Sequence, residues 1–228
     1  MKPLIYVCED EKVILDTICS FLKANEYDAQ GFMSAHECFE VFKEKPCDCL
    51  ITDINMPTMN GFELIQKVRA VSNVPIIVLT ARDADLDYAL GIHLGADDYI
   101  TKPFSTLNLM MRVKALLRRV QLDLSQQNQE KVTFHTLFMD PKTREATAKG
   151  VSLDLTPMEF AVLLYLTRHA DQAISREILL KKVWGYEALV ETRACDDTIR
   201  RLRKKLIDSG ITIETIWGYG FRVIETQV

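Results

Sequence analysis

No stretch of the chain approaches the roughly 18 to 20 consecutive apolar residues that cross a bilayer, and no basic segment followed by a hydrophobic core lies near its start. These two absences point to a cytoplasmic protein without membrane contact. A cysteine-based metal pattern is missing too. Cys8, Cys19, Cys38, Cys47, Cys49 and Cys195 follow no zinc spacing, because Cys47 and Cys49 are too close for a CxxC and have no second pair, and the four histidines are scattered. Most of the thiols therefore read as small buried hydrophobes in a reducing compartment. A glycine-rich loop of the GxxxxGK(S/T) type is absent, so a small phosphodonor or a phosphoprotein is a better partner than ATP. Strong net charge is absent as well: the total is only −4.

What is present is an ordinary globular composition, 48% apolar with mean hydropathy near zero, over 228 residues, enough for one large domain or two small ones. In the first half, short apolar runs alternate with helical periodicity. Leu4 to Cys8 reads as a buried strand that runs into Glu9-Asp10-Glu11. Cys49 to Thr52 ends at Asp53, with Pro57 four residues on; Ile76 to Leu79 ends at Thr80; Tyr99 to Thr101 ends at Lys102-Pro103-Phe104. A shorter strand is expected near Asp28 to Phe32. Between them, Val13, Ile14, Ile18, Phe21 and Leu22 recur at helical spacing, Ser34 and Glu37 form a capping box, and Phe62, Leu64, Ile65 and Val68 give a helix its inner face. Leu86, Ala89, Leu90, Ile92 and Leu94 mark a further helix closed by Gly95, and a last one is expected from Leu107 to Arg119. Five such units fit a doubly wound five-stranded parallel sheet with helices on both faces, an α/β architecture.

Strand tips are where ligands and chemistry collect in such sheets. Here they deliver Glu9, Asp10, Asp53, Thr80 and Lys102. Adjacent carboxylates repel unless a cation neutralises them, and hard oxygen donors suit magnesium, Mg2+. A central carboxylate, a metal, a hydroxyl and an ammonium together suit attack by Asp53 on a phosphoryl group, with Mg2+ and Lys102 neutralising the transferring oxygens.

The motifs Cys8-Glu9-Asp10-Glu11, Asp53 to Gly61, Thr80-Ala81 and Ala96 to Phe104 stand in register with those of the receiver domain of bacterial two-component response regulators, which the first half resembles. The resemblance implies a flavodoxin-like fold and a sensor histidine kinase that phosphorylates Asp53. It implies Mg2+ held by Glu9, Asp10, Asp53 and the Asn55 carbonyl, and a switch in which Thr80 moves toward the phosphate and Tyr99 changes rotamer. Asn55 and Arg82 match positions that modulate hydrolysis of the acyl phosphate. It also implies homodimerisation on activation, with Asp97, Asp98, Arg112 and Arg119 matching Asp/Arg pairs of the family interface. The Lys/Glu pair of that interface is replaced on both sides, by Tyr88 and Asn108. Loss of both partners avoids a stranded charge, so Tyr88 is expected to pack on Asn108 of a second subunit.

From Gln121 to Lys131 the apolar pattern nearly vanishes, which reads as a tether. Short strands follow: Val132 to Phe134, Leu137 to Met139, Arg144 to Ala148 and Val151 to Leu153. Thr156-Pro157-Met158-Glu159 then opens a helix, Ser175 a second ended by Gly185, and a third runs from about Thr192 to Ile207. A hairpin around Gly218-Tyr219-Gly220 closes the chain. In the third helix Cys195, Ile199, Leu202 and Leu206 fall at 4-3-4 spacing, which turns Arg193, Asp197, Arg200, Arg201 and Lys204 outward, as in a helix that lies in a major groove. Although residues 121–228 carry 15 basic and 15 acidic groups, Arg200 to Lys205 concentrates five positive charges in six residues.

Leu155 to Phe160, Val183-Trp184-Gly185, Asp196 to Leu206 and Gly218 to Arg222 resemble the winged helix-turn-helix effector domain of OmpR/PhoB-type transcriptional regulators. On that basis Arg193, Asp197, Thr198 and Arg201 are expected to face bases of double-stranded DNA, with Arg200, Arg203 and Lys204 nearer the phosphates. The family's wing arginine is replaced by Trp217, and Arg222 is a substitute or a backbone support. The expected organisation is a receiver at 1–120, a linker at 121–131 and a winged helix-turn-helix at 132–228. The expected function is a phosphorylation-controlled, sequence-specific regulator of transcription, with RNA polymerase as a further contact and no enzymatic action on an external substrate. The alternative is a regulator of the same fold that acts without phosphorylation.

Overall fold

The structure, a computed structural model, describes residues 2–81, 95–125, 130–186 and 194–226; the side chains of 81 and 119–125 are outside that description. The chain divides into two compact units, Met1–Leu117 and Arg118–Val228.

The first unit is built on β1 (Leu4–Cys8), β2 (Asp28–Phe32), β3 (Cys49–Asp53), β4 (Ile76–Ala81) and β5 (Asp98–Lys102). All pair in parallel, in the order β2-β1-β3-β4-β5. β1, β3 and β4 read as nearly unbroken apolar runs because both faces are covered; Ile5, Val7, Leu50, Ile51, Ile77 and Val78 are fully buried. β2 is an edge and tolerates the polar sequence Asp-Ala-Gln-Gly-Phe. The helices are α1 (Lys12–Ala24), α2 (Ala35–Glu44), α3 (Gly61–Arg69) and α4 (Thr106–Ser125). α2 starts where expected: the Ser34 side chain accepts the Glu37 N–H. Asn60 does the same for α3, accepting the Glu63 N–H at 3.0 Å. The helix expected at residues 86–94 lies outside the described residues.

α4 runs on to Ser125, six residues past the expected end at Arg119, so the expected tether begins inside a helix. Composition changes after Arg119, but no glycine or proline follows to stop the helix before Ser125.

The second unit opens with an antiparallel sheet of β6 (Val132–Phe134), β7 (Leu137–Asp140), β8 (Glu145–Ala148) and β9 (Val151–Ser152). α5 (Pro157–Arg168) follows a full capping box between Thr156 and Glu159. α6 (Arg176–Leu179) continues directly into a π-helical turn, Leu180–Trp184, that ends at Gly185 in the left-handed region. α7 (Ala194–Lys205) and the hairpin of β10 (Ile211–Ile216) and β11 (Gly220–Glu225) complete a winged helix-turn-helix. Its core gathers Phe160, Leu163, Leu166, Trp184, Ile199, Leu202 and Val223.

Candidate functional site

The strand order reverses between β1 and β3, and Glu9 and Asp53 stand at the ends of those two strands. A ligand crevice forms at such a reversal because the flanking connections leave the sheet on opposite faces. Glu9 is fully buried, Asp53 nearly so, and Asp10 is half-buried. One ligand atom from each can lie within 4.8 Å of the others. Lys102, at the tip of β5, ties the cluster together: its Nζ is 2.9 Å from Oε1 and 2.8 Å from Oε2 of Glu9, and 3.1 Å from Oδ2 of Asp53. The Ile54 N–H donates to Asp53 Oδ1 at 2.8 Å and so fixes the carboxylate's plane.

Burial pushes the Glu9 carboxyl above its ordinary value against the pull of the Lys102 hydrogen bond, and the Asp53 charge adds to the rise. For Lys102, burial opposes the ammonium, but the hydrogen bond to Glu9 and the charge of Asp53 outweigh it and hold the group above the usual lysine value. The Glu9 carboxylate is thus a poor anion alone and a better one in the presence of positive charge. Three carboxylates with hard oxygen donors, two of them sharing a single ammonium, fit a divalent cation such as Mg2+.

Thr80 is buried at the end of β4, and Tyr99 is buried in β5 with its ring in the core. Asn55 is exposed in the loop after Asp53. Arg82 and Tyr88 lie outside the described residues, as does the side chain of Arg119.

The charges expected on a dimer face are engaged within the chain. Asp97 Oδ2 accepts from Arg69 Nη2 at 2.8 Å and from the Ile76 N–H at 2.8 Å. Arg112 Nη1 reaches both oxygens of Asp98, at 2.6 and 2.7 Å, while its Nε donates to Asn108 Oδ1 at 3.1 Å. Asp97, Asp98 and Arg112 are all buried within the single chain. Neighbouring elements of the same chain supply the opposite charges, and opening either pair without a replacement partner would leave a buried charge uncompensated.

On α7 the outward reading holds for Arg200 and Lys204, which are exposed. It fails for Asp197 and Arg201, which are buried, as is Thr198. Arg201 Nε donates to Glu159 Oε1 at 2.9 Å, and its Nη2 donates to the Thr198 hydroxyl at 3.2 Å. Thr198 in turn donates to the Ala194 carbonyl at 2.8 Å. Glu159, fully buried on α5, also accepts from Lys205 Nζ and from the Thr156 N–H, at 2.7 and 2.9 Å. Sequence reading assigned Glu159 only its capping role; the signal for more was an acid on an otherwise buried helix, whose partner lies 42 residues away. Arg203 donates to the Ile213 carbonyl at 2.6 Å and to the Thr215 hydroxyl at 2.8 Å, binding α7 to the hairpin. Arg222 is held by Glu214 Oε1, at 2.8 Å from Nε and 2.6 Å from Nη2. Trp217 is exposed at the hairpin tip, and Arg193 lies outside the described residues.

Comparison with known proteins agrees with both halves. The family model described as response regulator receiver domain matches residues 5–114, and the one described as transcriptional regulatory protein, C terminal, matches residues 150–223. The uncharacterized transcriptional regulatory protein YclJ of Bacillus subtilis (strain 168) is 37% identical over 224 residues, 97% of this chain and 99% of that protein. Among solved structures, a mutant of RitR aligns with a TM-score of 0.75 at 25% identity, over 98% of this chain and 100% of that one. The response regulator DrrB, a Thermotoga maritima OmpR/PhoB homolog, aligns with a TM-score of 0.51 at 28% identity, over 97% and 99%. Among the described residues no helix is long and apolar enough to cross a membrane.

Proposed function

Since the chain belongs to the two-component response regulators of the OmpR/PhoB type, we propose that Asp53 accepts a phosphoryl group from a partner histidine kinase. A receiver joined to a winged helix-turn-helix makes the protein a phosphorylation-regulated, DNA-binding transcription factor whose chemistry is confined to phosphorylation and dephosphorylation of its own aspartate. The observation that carries the proposal is Lys102 bridging Glu9 and Asp53 beside Asp10.

Glu9, Asp10, Asp53 and the Asn55 carbonyl would hold Mg2+, which when bound supplies positive charge at the transferring oxygens. Asp53 attacks phosphorus while the bond to the donor's leaving atom breaks, and the product is an acyl phosphate. The Ile54 N–H keeps the carboxylate oriented for this attack. The Lys102 ammonium, already directed at Asp53, pairs with the added phosphate oxygens. Thr80 would then move toward the phosphate and Tyr99 would follow. Arg82, with Asn55, would set the lifetime of the acyl phosphate.

In the effector unit Arg200 and Lys204 supply exposed charge for DNA phosphates. Arg193 remains a base-reading candidate, while Arg203 and Arg222 act as supports of the hairpin. Activation would join two chains, with Tyr88 against Asn108 of the second copy, and bring RNA polymerase as a further partner.

The test is incubation of wild type and Asp53→Ala with acetyl phosphate and Mg2+, followed by intact-mass measurement and binding to the protein's own promoter. Wild type should gain one acid-labile phosphoryl group and bind more tightly; Asp53→Ala should do neither. An unmodified wild type would refute the reading.

A further inference from the structure

Sulfur side chains from three elements meet in the apolar core of the first unit. Cys8, the last residue of β1, donates its thiol to Met56 Sδ at 3.5 Å, and Met56 stands in the loop that follows β3. Cys38 of α2 shares a hydrogen bond with the Cys8 thiol. All three side chains are buried, in one cluster with Phe32, Phe42, Ile54 and Leu64. Cys8 and Met56 are 48 residues apart in the chain, so no spacing motif announces the group.

A cysteine that only fills space needs volume and nothing of its sulfur. Cys49 is of that kind, with its thiol turned to its neighbour's carbonyl, Leu50, at 3.9 Å. In the Cys8 cluster each contact is sulfur to sulfur, and the backbone under each side chain is held. β1 is paired on both sides, to β2 and β3. The Cys38 N–H donates to the Ser34 carbonyl at 3.0 Å in the first turn of α2, and the Met56 N–H donates to the Ile54 carbonyl at 3.0 Å.

We propose that Cys8, Cys38 and Met56 form a binding site for a soft monovalent metal ion of the Cu(I) class. This goes beyond the phosphoryl chemistry and does not depend on it. Thiolate and thioether donors select Cu(I), while Mg2+ demands oxygen. Structural zinc takes four donors, mostly thiolate or imidazole, and this cluster offers two thiols and a thioether. Metal–sulfur bonds of about 2.3 Å set the sulfurs of a trigonal site about 4.0 Å apart. The Cys8–Met56 separation of 3.5 Å is close to that, so small side-chain rotations admit the ion. The ion replaces one thiol proton, which passes to solvent, and the buried cluster stays neutral. The apolar shell then limits water at the metal. Asn55 and Pro57, exposed on either side of Met56, make its loop the way in.

The probe is Cu(I) alone, added without oxygen to the reduced full-length chain beside a competing Cu(I) chelator. Native mass measurement should find one ion per wild-type chain, X-ray absorption should find a shell of three sulfurs, and excess Mg2+ should not displace the ion. Cys8→Ala and Cys38→Ala should lose the ion to the chelator. Met56→Leu conserves volume and so keeps the fold; it should hold the ion more weakly, with two sulfurs in the shell. Cys195→Ala, in the other unit, should bind as wild type does. A folded wild type that yields all its Cu(I) to the chelator overturns the site, as does uptake only after unfolding in urea. Retention by Cys8→Ala together with an unaltered shell in Met56→Leu also overturns it, and gives the ion to other thiols. Where Cys8→Ala does not fold, the shell of Met56→Leu decides.

Discussion

Gly61 governs the setting of Asp53, the proposed phosphoacceptor, through its lack of a side chain. It opens α3 directly under the end of β3, and its N–H donates to the Ile54 carbonyl at 2.9 Å. A Cβ at this position would stand 2.0 Å from the Asp53 carbonyl oxygen and 2.9 Å from Ile54 Cα, both backbone atoms that cannot swing aside. The Gly61→Ala substitution is expected to cost about 1–3 kcal/mol, as overpacking does, and to displace Asp53 from Lys102. Urea unfolding would measure the first effect and the rate of labelling by acetyl phosphate the second; a stable variant labelled at the wild-type rate would contradict it. The thiols nearby are no competitors for this chemistry. Burial pushes Cys47 up to about 12 and Cys49 well above its ordinary value, while a hydrogen bond with Cys8 and burial together raise Cys38. Thiols so held are scarcely nucleophilic at neutral pH.

Packing of α7 on α5 turns on one acid. Burial by itself pushes the Glu159 carboxyl up, but the charges of Arg201 and Lys205 reverse that and hold it below its ordinary value of 4.5. A depressed folded value contributes stability that is present above the unfolded value and is lost as pH falls through the folded one. Glu159→Gln keeps the shape and removes the charge, leaving Arg201 buried without its counterion. The expected cost is about 3 kcal/mol at neutral pH, as for one partner removed from a buried pair. That gap should narrow as pH falls below 4.5, because the wild-type carboxyl then becomes neutral too. Denaturation of both proteins across that range provides the check, and a gap independent of pH would remove the charge from the explanation. The same pair marks where sequence reading ran out. Cys195, Ile199, Leu202 and Leu206 announce one buried stripe by their apolarity, and the structure agrees. A second stripe, Ala194, Thr198 and Arg201, is buried as well, yet its polar members resemble a solvated face unless the facing acid is known. Asp98 and Arg112 hid their pairing for the same reason, whereas the strand tips were legible because each short apolar run stops at its reactive residue.

For the whole molecule, the proposed phosphorylation works against simple electrostatics. The chain carries −4, and its first 120 residues hold 17 acidic against 13 basic groups. An acyl phosphate carries roughly −1.5 to −2 where the carboxylate carried −1, so the chain becomes more negative by about −0.5 to −1 and tighter DNA binding after activation cannot come from added attraction. It must come either from a larger fraction of chains in a binding-competent state or from two chains engaging together. The salt dependence separates these. A larger competent fraction lowers the apparent Kd by a constant factor and leaves the slope of log K against log salt as it was, while two effector units, each bringing Arg200 and Lys204 to the phosphates, about double the slope. The homodimer proposed for the active state predicts the steeper line, measured on a duplex carrying two half-sites, with Asp53→Ala retaining the shallow one. That outcome also carries a structural requirement. If the dimer uses the face of Asp98 and Arg112, their buried pair must open in each chain, so Asp98→Ala should alter the slope only in phosphorylated protein. Equal slopes with and without phosphate would instead mean that a single effector unit is released to bind alone.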